Sequence, residues 1–228
     1  MWVGVTPQIA VFRIDPNRDS GAVCRLLGEN FQGFVGSDRW RAHNCIPMKR
    51  RGICHSHLKR DFQKIEDFGG ASKSIGEWGL AEEKRLFEMW NDFKSGKVTR
   101  QELQANLVPL RARMKRLLSR GQESGDKKTE GMCRDIYKHW EALWTFAFVE
   151  GVEPTNNAAE RSLRKGVLWR KGSFGTQSNR GSRFVERILT VAETCRRQGR
   201  KVIDFLHDAL LSALAIKPAP SLLPEPDG

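Results

Sequence analysis

Three apolar stripes at helical spacing between residues 86 and 147 constrain this chain more than any other feature. Leu86, Trp90 and Phe93 form the first, Leu103, Leu107, Leu110, Met114 and Leu117 the second, and Met132, Ile136, Trp140, Leu143 and Ala147 the third. Residues three and four apart lie on one face of a helix, so each stripe is a core-facing surface with no cofactor role. The polar run at 121–128, GQESGDKK, reads as the connector between the second and third helices.

The segments in front of this block have a different character. Residues 2–14, WVGVTPQIAVFRI, are two β-branched and aromatic runs around Thr6, Pro7 and Gln8, the pattern of a hairpin. Ser20 can cap a helix through about Phe31, with Val23, Leu26 and Leu27 on its apolar face. Residues 33–38, GFVGSD, read as a short buried strand ending on Asp38, and 51–54 as a further strand leading to a helix over 56–66. A carboxylate at a strand end is rigidly held yet faces solvent, as a metal ligand must be; a turn Asp or helix cap is the plainer reading of the spacing alone. Cys45, Cys54, His55 and His57 invite a zinc reading, but Cys54-x-x-His57 is half a site with no second pair at finger spacing.

After Pro154 the pattern predicts a helix with Ala159, Leu163 and Val167 toward the core and Asn156, Glu160 and Arg164 on the accessible face. Glu160 has two readings: a capping box with Asn157 at N-x-x-E spacing, or a catalytic carboxylate among Arg161, Arg164 and Lys165. A Gly-punctuated loop, WRKGSFGTQSNRGSR, is expected over 169–183. Its Arg170, Lys171, Arg180 and Arg183 suit phosphate contacts, and Trp169 and Phe174 offer stacking surface. The loop lacks the G-x-x-x-x-G-K-[ST] order of a Walker motif. Two more helices follow: 181–198, with Phe184, Ile188, Val191, Ala192 and Cys195 on one face and Gly199 as its stop, and a helix with Val202, Phe205, Leu206, Ala209, Leu210 and Ala213. The Pro-rich end, 217–228, reads as a flexible tail.

A formal charge of +12 and a pI near 9.8 in 228 residues point to a polyanionic partner, nucleic acid first, with a well-solvated basic protein as the plainer alternative. Hydrophobic residues at 39% and charged residues at 29% indicate a globular chain and argue against disorder. Five cysteines with no C-x-x-C pair fit free thiols in a reducing compartment, and no apolar run approaches the roughly 18 residues of a membrane span. A cytoplasmic location with no membrane partner is the expectation.

The run from Val152 to Arg200, with PTNNAAERSLR and WRKGSFGTQSNRGSRFVERILTVAETCRRQGR, closely resembles the C-terminal end of DDE transposases of the insertion-sequence-66 family. FVGSDRW at 34–40 resembles that family's second-aspartate strand, and CHSHLKRDFQ at 54–63 its Cys-x-x-His-x-x-Arg-Asp-Phe segment. WVGVTPQIAVFRI resembles its second and third strands. His55 and Ser56 depart from the Trp and Ala usual in the family. The glutamate motif is the specific part of the likeness.

The resemblance implies an α/β chain with an RNase H-like mixed sheet and a helical insertion before the last catalytic helix. Its segments would be a partial core over 1–66, the insertion over 67–150, the catalytic helix, basic loop and closing helices over 151–216, and the tail. It implies DNA transposition by metal-dependent strand cleavage and transfer. The cofactors would be two divalent ions, magnesium or manganese, about 3.5 to 4 Å apart. By position Asp38 matches the second aspartate and Glu160 the final glutamate, both metal ligands, with Asn156 orienting Glu160 or a metal-bound water. Arg161, Arg164, Lys165, Trp169, Arg170, Lys171, Arg180 and Arg183 would contact DNA, both transposon ends and target. The family's first aspartate precedes the strand matched by WVGVT and has no counterpart here, so impaired activity is expected. The alternative is a non-enzymatic DNA-binding remnant, which could assemble with a complementary upstream fragment; a homo-oligomer built on the helical block is a further possibility.

Overall fold

A computed structural model describes residues 1–224, so the last four residues of the tail lie outside the described residues. The chain forms two compact units, Gln32–Asn156 and Met1–Phe31 with Asn157–Gly228. The architecture is mixed α/β, mostly helical, with two separate two-stranded ladders among the described residues.

Met1–Phe31 opens with β1 (Trp2–Val5) and β2 (Ala10–Arg13), the expected hairpin, paired antiparallel with Trp2 opposite Arg13 and Val5 opposite Ala10. Thr6 closes the turn: its N–H donates to Ile9 O at 2.8 Å and its hydroxyl accepts from Ile9 N at 3.0 Å. Helix α1 (Ser20–Leu27) is capped by Asp19, one residue before the expected Ser20, because the Asp19 carboxylate reaches Ala22 N at 2.9 Å. It stops well short of Phe31, at Gly28, whose φ of 89° ends the helix.

In Gln32–Asn156, β3 (Val35–Ser37) runs parallel to β4 (Arg51–Ile53), with Ser37 beside Ile53. Helix α2 (His55–Asp67) then lies against α3 (Gly70–Lys94). Two glycines allow that approach: a Cβ on Gly76 would stand 2.3 Å from Glu66 N, and one on Gly79 2.2 Å from Phe62 Cδ1. Helix α4 (Arg100–Gln122) starts at a capping box between Thr99 and Glu102 and takes in the first residues of the expected connector. Leu103, Leu107, Leu110, Met114 and Leu117 are all buried in one core with Phe62, Leu86 and Ile136.

The third stripe is not one helix. It is split into α5 (Lys127–Lys138), α6 (Trp140–Leu143) and α7 (Thr145–Phe148). The first break has a local cause, since His139 Nδ1 donates to Asp135 O at 2.8 Å, the carbonyl that the His139 N–H would take in a helix. That N–H turns instead to Ile136 O at 3.0 Å, a tighter turn that redirects the chain. His55 helps fix the second bend. Fully buried, it donates from Nε2 to Leu143 O at 2.8 Å and meets the buried Glu83 at 3.0 Å through Nδ1. Burial alone would lower this imidazole, and the Glu83 carboxylate more than offsets it, so His55 is held above its ordinary value.

The remaining helices, α8 (Asn157–Ser173), α9 (Asn179–Arg197) and α10 (Val202–Leu214), belong with the β1–β2 hairpin. Helix α9 lies along the outer edge of β2 and satisfies its backbone. Ala10 N donates to Thr194 Oγ1 at 3.1 Å, Phe12 N to Thr190 Oγ1 at 3.0 Å and Ile14 N to Glu186 Oε1 at 2.7 Å. Four helical residues rise about 6 Å and two strand residues about 6.8 Å, so side chains one turn apart meet alternate amides. The buried face of α9 therefore contains Val185, Glu193, Thr194 and Cys195, whereas Phe184, expected on it, is 65% exposed. The tail is tied back at two points, Gln198 Nε2 to Leu222 O at 2.8 Å and Arg200 Nη1 to Ser221 O at 2.9 Å.

Candidate nucleic-acid and metal site

Asp38 lies one residue past the end of β3, with its side chain 35% exposed. Its Oδ1 accepts from Trp40 N at 3.1 Å and lies 3.2 Å from His43 Nδ1. Burial would raise this carboxyl, but the hydrogen bonds from His43 and Trp40, with the nearby His57, outweigh it and hold Asp38 below its ordinary value. It is an ionised carboxylate at neutral pH, held through Oδ1. Arg51, at the start of β4 and only 1% exposed, fixes the main chain there by donating to Asp38 O at 3.3 Å and Asn44 Oδ1 at 3.1 Å. Arg39 bridges Asp61 at 2.5 Å and Asp135. Neither Arg39 nor Arg51 carries a sequence signal for this role, because each acts through a partner distant in the chain or through burial.

Asn156 closes the same unit. Its N–H donates to Cys54 Sγ at 3.4 Å, and its Oδ1 is buried with no hydrogen-bond partner among the described residues. Among the described residues no three His, Cys, Asp or Glu side chains gather into a metal-binding group. The zinc reading of Cys45, Cys54, His55 and His57 gains no support, and His55 is committed to Glu83 and Leu143.

Glu160 sits in the first turn of α8. Asn157, its partner in the capping-box reading, is the first residue of the helix. The face that packs inward is one position off the expected one. Ser162 and Gly166 are buried, and a Cβ on Gly166 would stand 2.2 Å from Met1 Sδ, while Ala159, Leu163 and Val167 are half-buried. Glu193 of α9 anchors this face: it is 3% exposed, accepts from Ser162 Oγ at 2.9 Å and Arg196 Nη2 at 2.6 Å, and pairs with Lys165.

Most of the expected basic loop is helical. Helix α8 carries Trp169, Arg170 and Lys171, α9 carries Arg180 and Arg183, and only 174–178 connects them. Residues 161–185 contain no acidic side chain and seven cations, Arg161, Arg164, Lys165, Arg170, Lys171, Arg180 and Arg183. Lys165 is paired with Glu193, and the other six are exposed. On α8, Arg161, Arg164, Leu168 and Lys171 recur at three- and four-residue steps and share one exposed face; Trp169, half-buried, lies beside it. An acid-free cationic surface attracts polyanions. Among the described residues no helix is long and apolar enough to cross a membrane.

A family model described as the IS66 transposase family matches residues 1–183. The chain is 26% identical over 227 residues to the uncharacterized protein y4qI of Sinorhizobium fredii (strain NBRC 101917 / NGR234), with 91% of this chain and 40% of that protein covered. It is likewise 26% identical over 229 residues to the uncharacterized protein y4hP of the same organism, with 91% and 41% covered. The chain thus spans about 40% of the length of these curated relatives. No solved structure matches. Since the family model runs over 183 of the 228 residues, from the β1–β2 hairpin through the Asp38 strand and the Glu160 helix, the chain belongs to the IS66 family of transposases.

Proposed function

We propose that this chain is part of the catalytic core of a DNA transposase, with Asp38 and Glu160 as metal ligands, Asn156 as their positioning residue, and the α8–α9 cations as its DNA contact. The observation that carries the reading is Glu160 in the first turn of α8, directly ahead of the acid-free basic stretch, inside the segment matched to the family. Magnesium keeps several waters and binds through one or two carboxylates plus substrate phosphates, so the donor set of Asp38 and Glu160 fits it or manganese. When bound, two such ions would activate the attacking water or 3′ hydroxyl and stabilise the leaving oxygen at phosphorus. The protein's own part is electrostatic and positional. Asp38 is held ionised, Asn156 offers a buried Oδ1 without a partner, and the six exposed cations hold phosphates.

On this reading the fold is RNase H-like, with 1–66 as partial core, 67–150 as helical insertion, 151–216 as catalytic helix and closing helices, and 217–228 as tail. One feature of the hairpin supports it. The amides of Ala10 and Phe12 point to α9, so Val11 and Arg13 face β1, and the backbone of Val3 and Val5 faces the opposite edge. Among the described residues nothing pairs with that edge, which is where a further core strand would add. The third carboxylate of the chemistry would come from outside these residues. A cytoplasmic site of action on bacterial DNA, as a homo-oligomer or with a complementary fragment, goes with this proposal.

The second reading, a DNA-binding chain that does no chemistry, is favoured by the +12 charge alone. Both readings are tested first by titrating duplex binding with salt. Six phosphate contacts give a slope of about −5 in log K against log salt, close to a thousandfold loss between 50 and 200 mM. A flat response removes DNA as the partner.

A further inference from the structure

Phe174 stands where the fold gives no reason for an aromatic residue. It is 95% exposed and follows directly on the last residue of α8. Its φ is +58°, and Ile216 is the only other non-glycine residue with positive φ among the described residues. A helix stop in the left-handed region is the ordinary place for glycine, as Gly199 shows after α9 with φ 67°. The ring gains no packing in return for this conformation.

The segment that presents it is short and tied at both ends. Ser173 Oγ donates to Trp169 O at 2.9 Å, Thr176 and Ser182 share a hydroxyl hydrogen bond at 2.7 Å, and Ser178 Oγ accepts from Gly181 N at 3.1 Å. Arg170 and Lys171 lie in the turn before it, and Arg180 and Arg183 open the helix after it. An apolar, exposed ring on a short tied segment inside an acid-free cationic surface matches the chemistry of a base held by its π-face while its phosphates are neutralised.

We propose that Phe174 is a stacking wedge, packing against an unpaired or unstacked base of DNA bound on α8 and α9. The inference rests on the DNA-binding reading and adds the base contact to it. Exposed phenylalanine can also bind another protein, but between Trp169 and Phe184 the chain carries no other large apolar residue and four cations, Arg170, Lys171, Arg180 and Arg183, which favour a ligand with negative charge on either side of the ring.

The test uses the 228-residue chain with two duplexes, one fully matched and one with a single unpaired 2-aminopurine. Phe174→Ala is expected to weaken binding to the unpaired duplex about tenfold and to abolish the change in 2-aminopurine fluorescence. Matched-duplex affinity and the salt slope should stay unchanged, Phe174→Trp should restore the signal, and the thermal midpoint of Phe174→Ala should not fall. Wild-type behaviour of Phe174→Ala on both duplexes overturns the wedge and leaves the DNA reading intact. A shift in sedimentation caused by Phe174→Ala without any change in DNA signal also overturns it, in favour of a protein contact. No salt-dependent binding by the wild-type chain removes the DNA reading, and the wedge with it.

Discussion

Replacing Glu193 by Gln removes one negative charge from the junction that holds α8 on α9, at nearly constant volume. The carboxylate is 3% exposed and is met by Lys165, Ser162, Arg196 and Arg197. Burial would raise it, but the hydrogen bonds from Arg196, Lys165 and Ser162 outweigh that and hold it down at about 2, against an ordinary 4.5. At roughly 1.4 kcal/mol per pH unit, a depression of this size limits the contribution to roughly 3 kcal/mol. Lys165 and Arg196 are 44% and 61% exposed, so solvent screening reduces the expected loss to about 1–2 kcal/mol. The sign follows from the depressed value: the stabilisation is complete above pH 4.5 and is lost as pH falls from there through about 2. Urea unfolding of wild type and Glu193→Gln between pH 7 and 2.5 isolates it, because every other carboxylate is common to both proteins. The difference should be about 1–2 kcal/mol at pH 7 and close steadily below pH 4.5. A difference constant down to pH 2.5 refutes the charge network.

Further outcomes follow from packing and from the strand edge. Gly79→Ala drives a methyl to 2.2 Å from Phe62, itself fully buried, and should cost about 2–4 kcal/mol in thermal or urea unfolding. Gly131→Ala in α5 meets nothing within 4 Å and should instead stabilise by about 0.5–1 kcal/mol. Thr190→Val and Thr194→Val leave the Phe12 and Ala10 amides without partners, at about 1–3 kcal/mol each. Hydrogen exchange should then accelerate at Ala10 and Phe12 more than at Val11 and Arg13, which bond to β1.

The elements most legible in the sequence are those whose structure is decided by their own periodicity. The Leu103–Leu117 stripe is buried as read, and the β1–β2 hairpin forms where alternating β-branched residues flank Thr6. Misreadings arose where side chains bond to the backbone. His139 takes the carbonyl its own amide needed and breaks the third helix, although the apolar spacing runs on. On α9 hydrophobicity alone selects Phe184, but a helix laid on a strand edge must bury donors and acceptors, so Thr190 and Thr194 do that work. The glycines at 172 and 181 suggested a long loop, yet good helix formers carry α8 to Ser173, and Ser178 caps α9 so that Gly181 lies inside it. The places of Glu160 and Asp38, in the first turn of α8 and just past β3, were legible by motif and by strand end. Their supports, Arg51 and His43 at Asp38 and Glu193 beneath α8, were not, since each depends on burial or on a contact brought about by folding.

The central claim is that Asp38 and Glu160 act together as ligands of a divalent ion in the presence of DNA. The most direct measurement is manganese binding, followed by electron paramagnetic resonance, to the 228-residue chain mixed with duplex DNA. DNA alone is the blank. The account predicts that DNA tightens manganese binding to the protein, and that Asp38→Ala and Glu160→Ala each weaken it about tenfold or more while leaving DNA affinity without metal unchanged. Manganese bound equally well by both variants would contradict it.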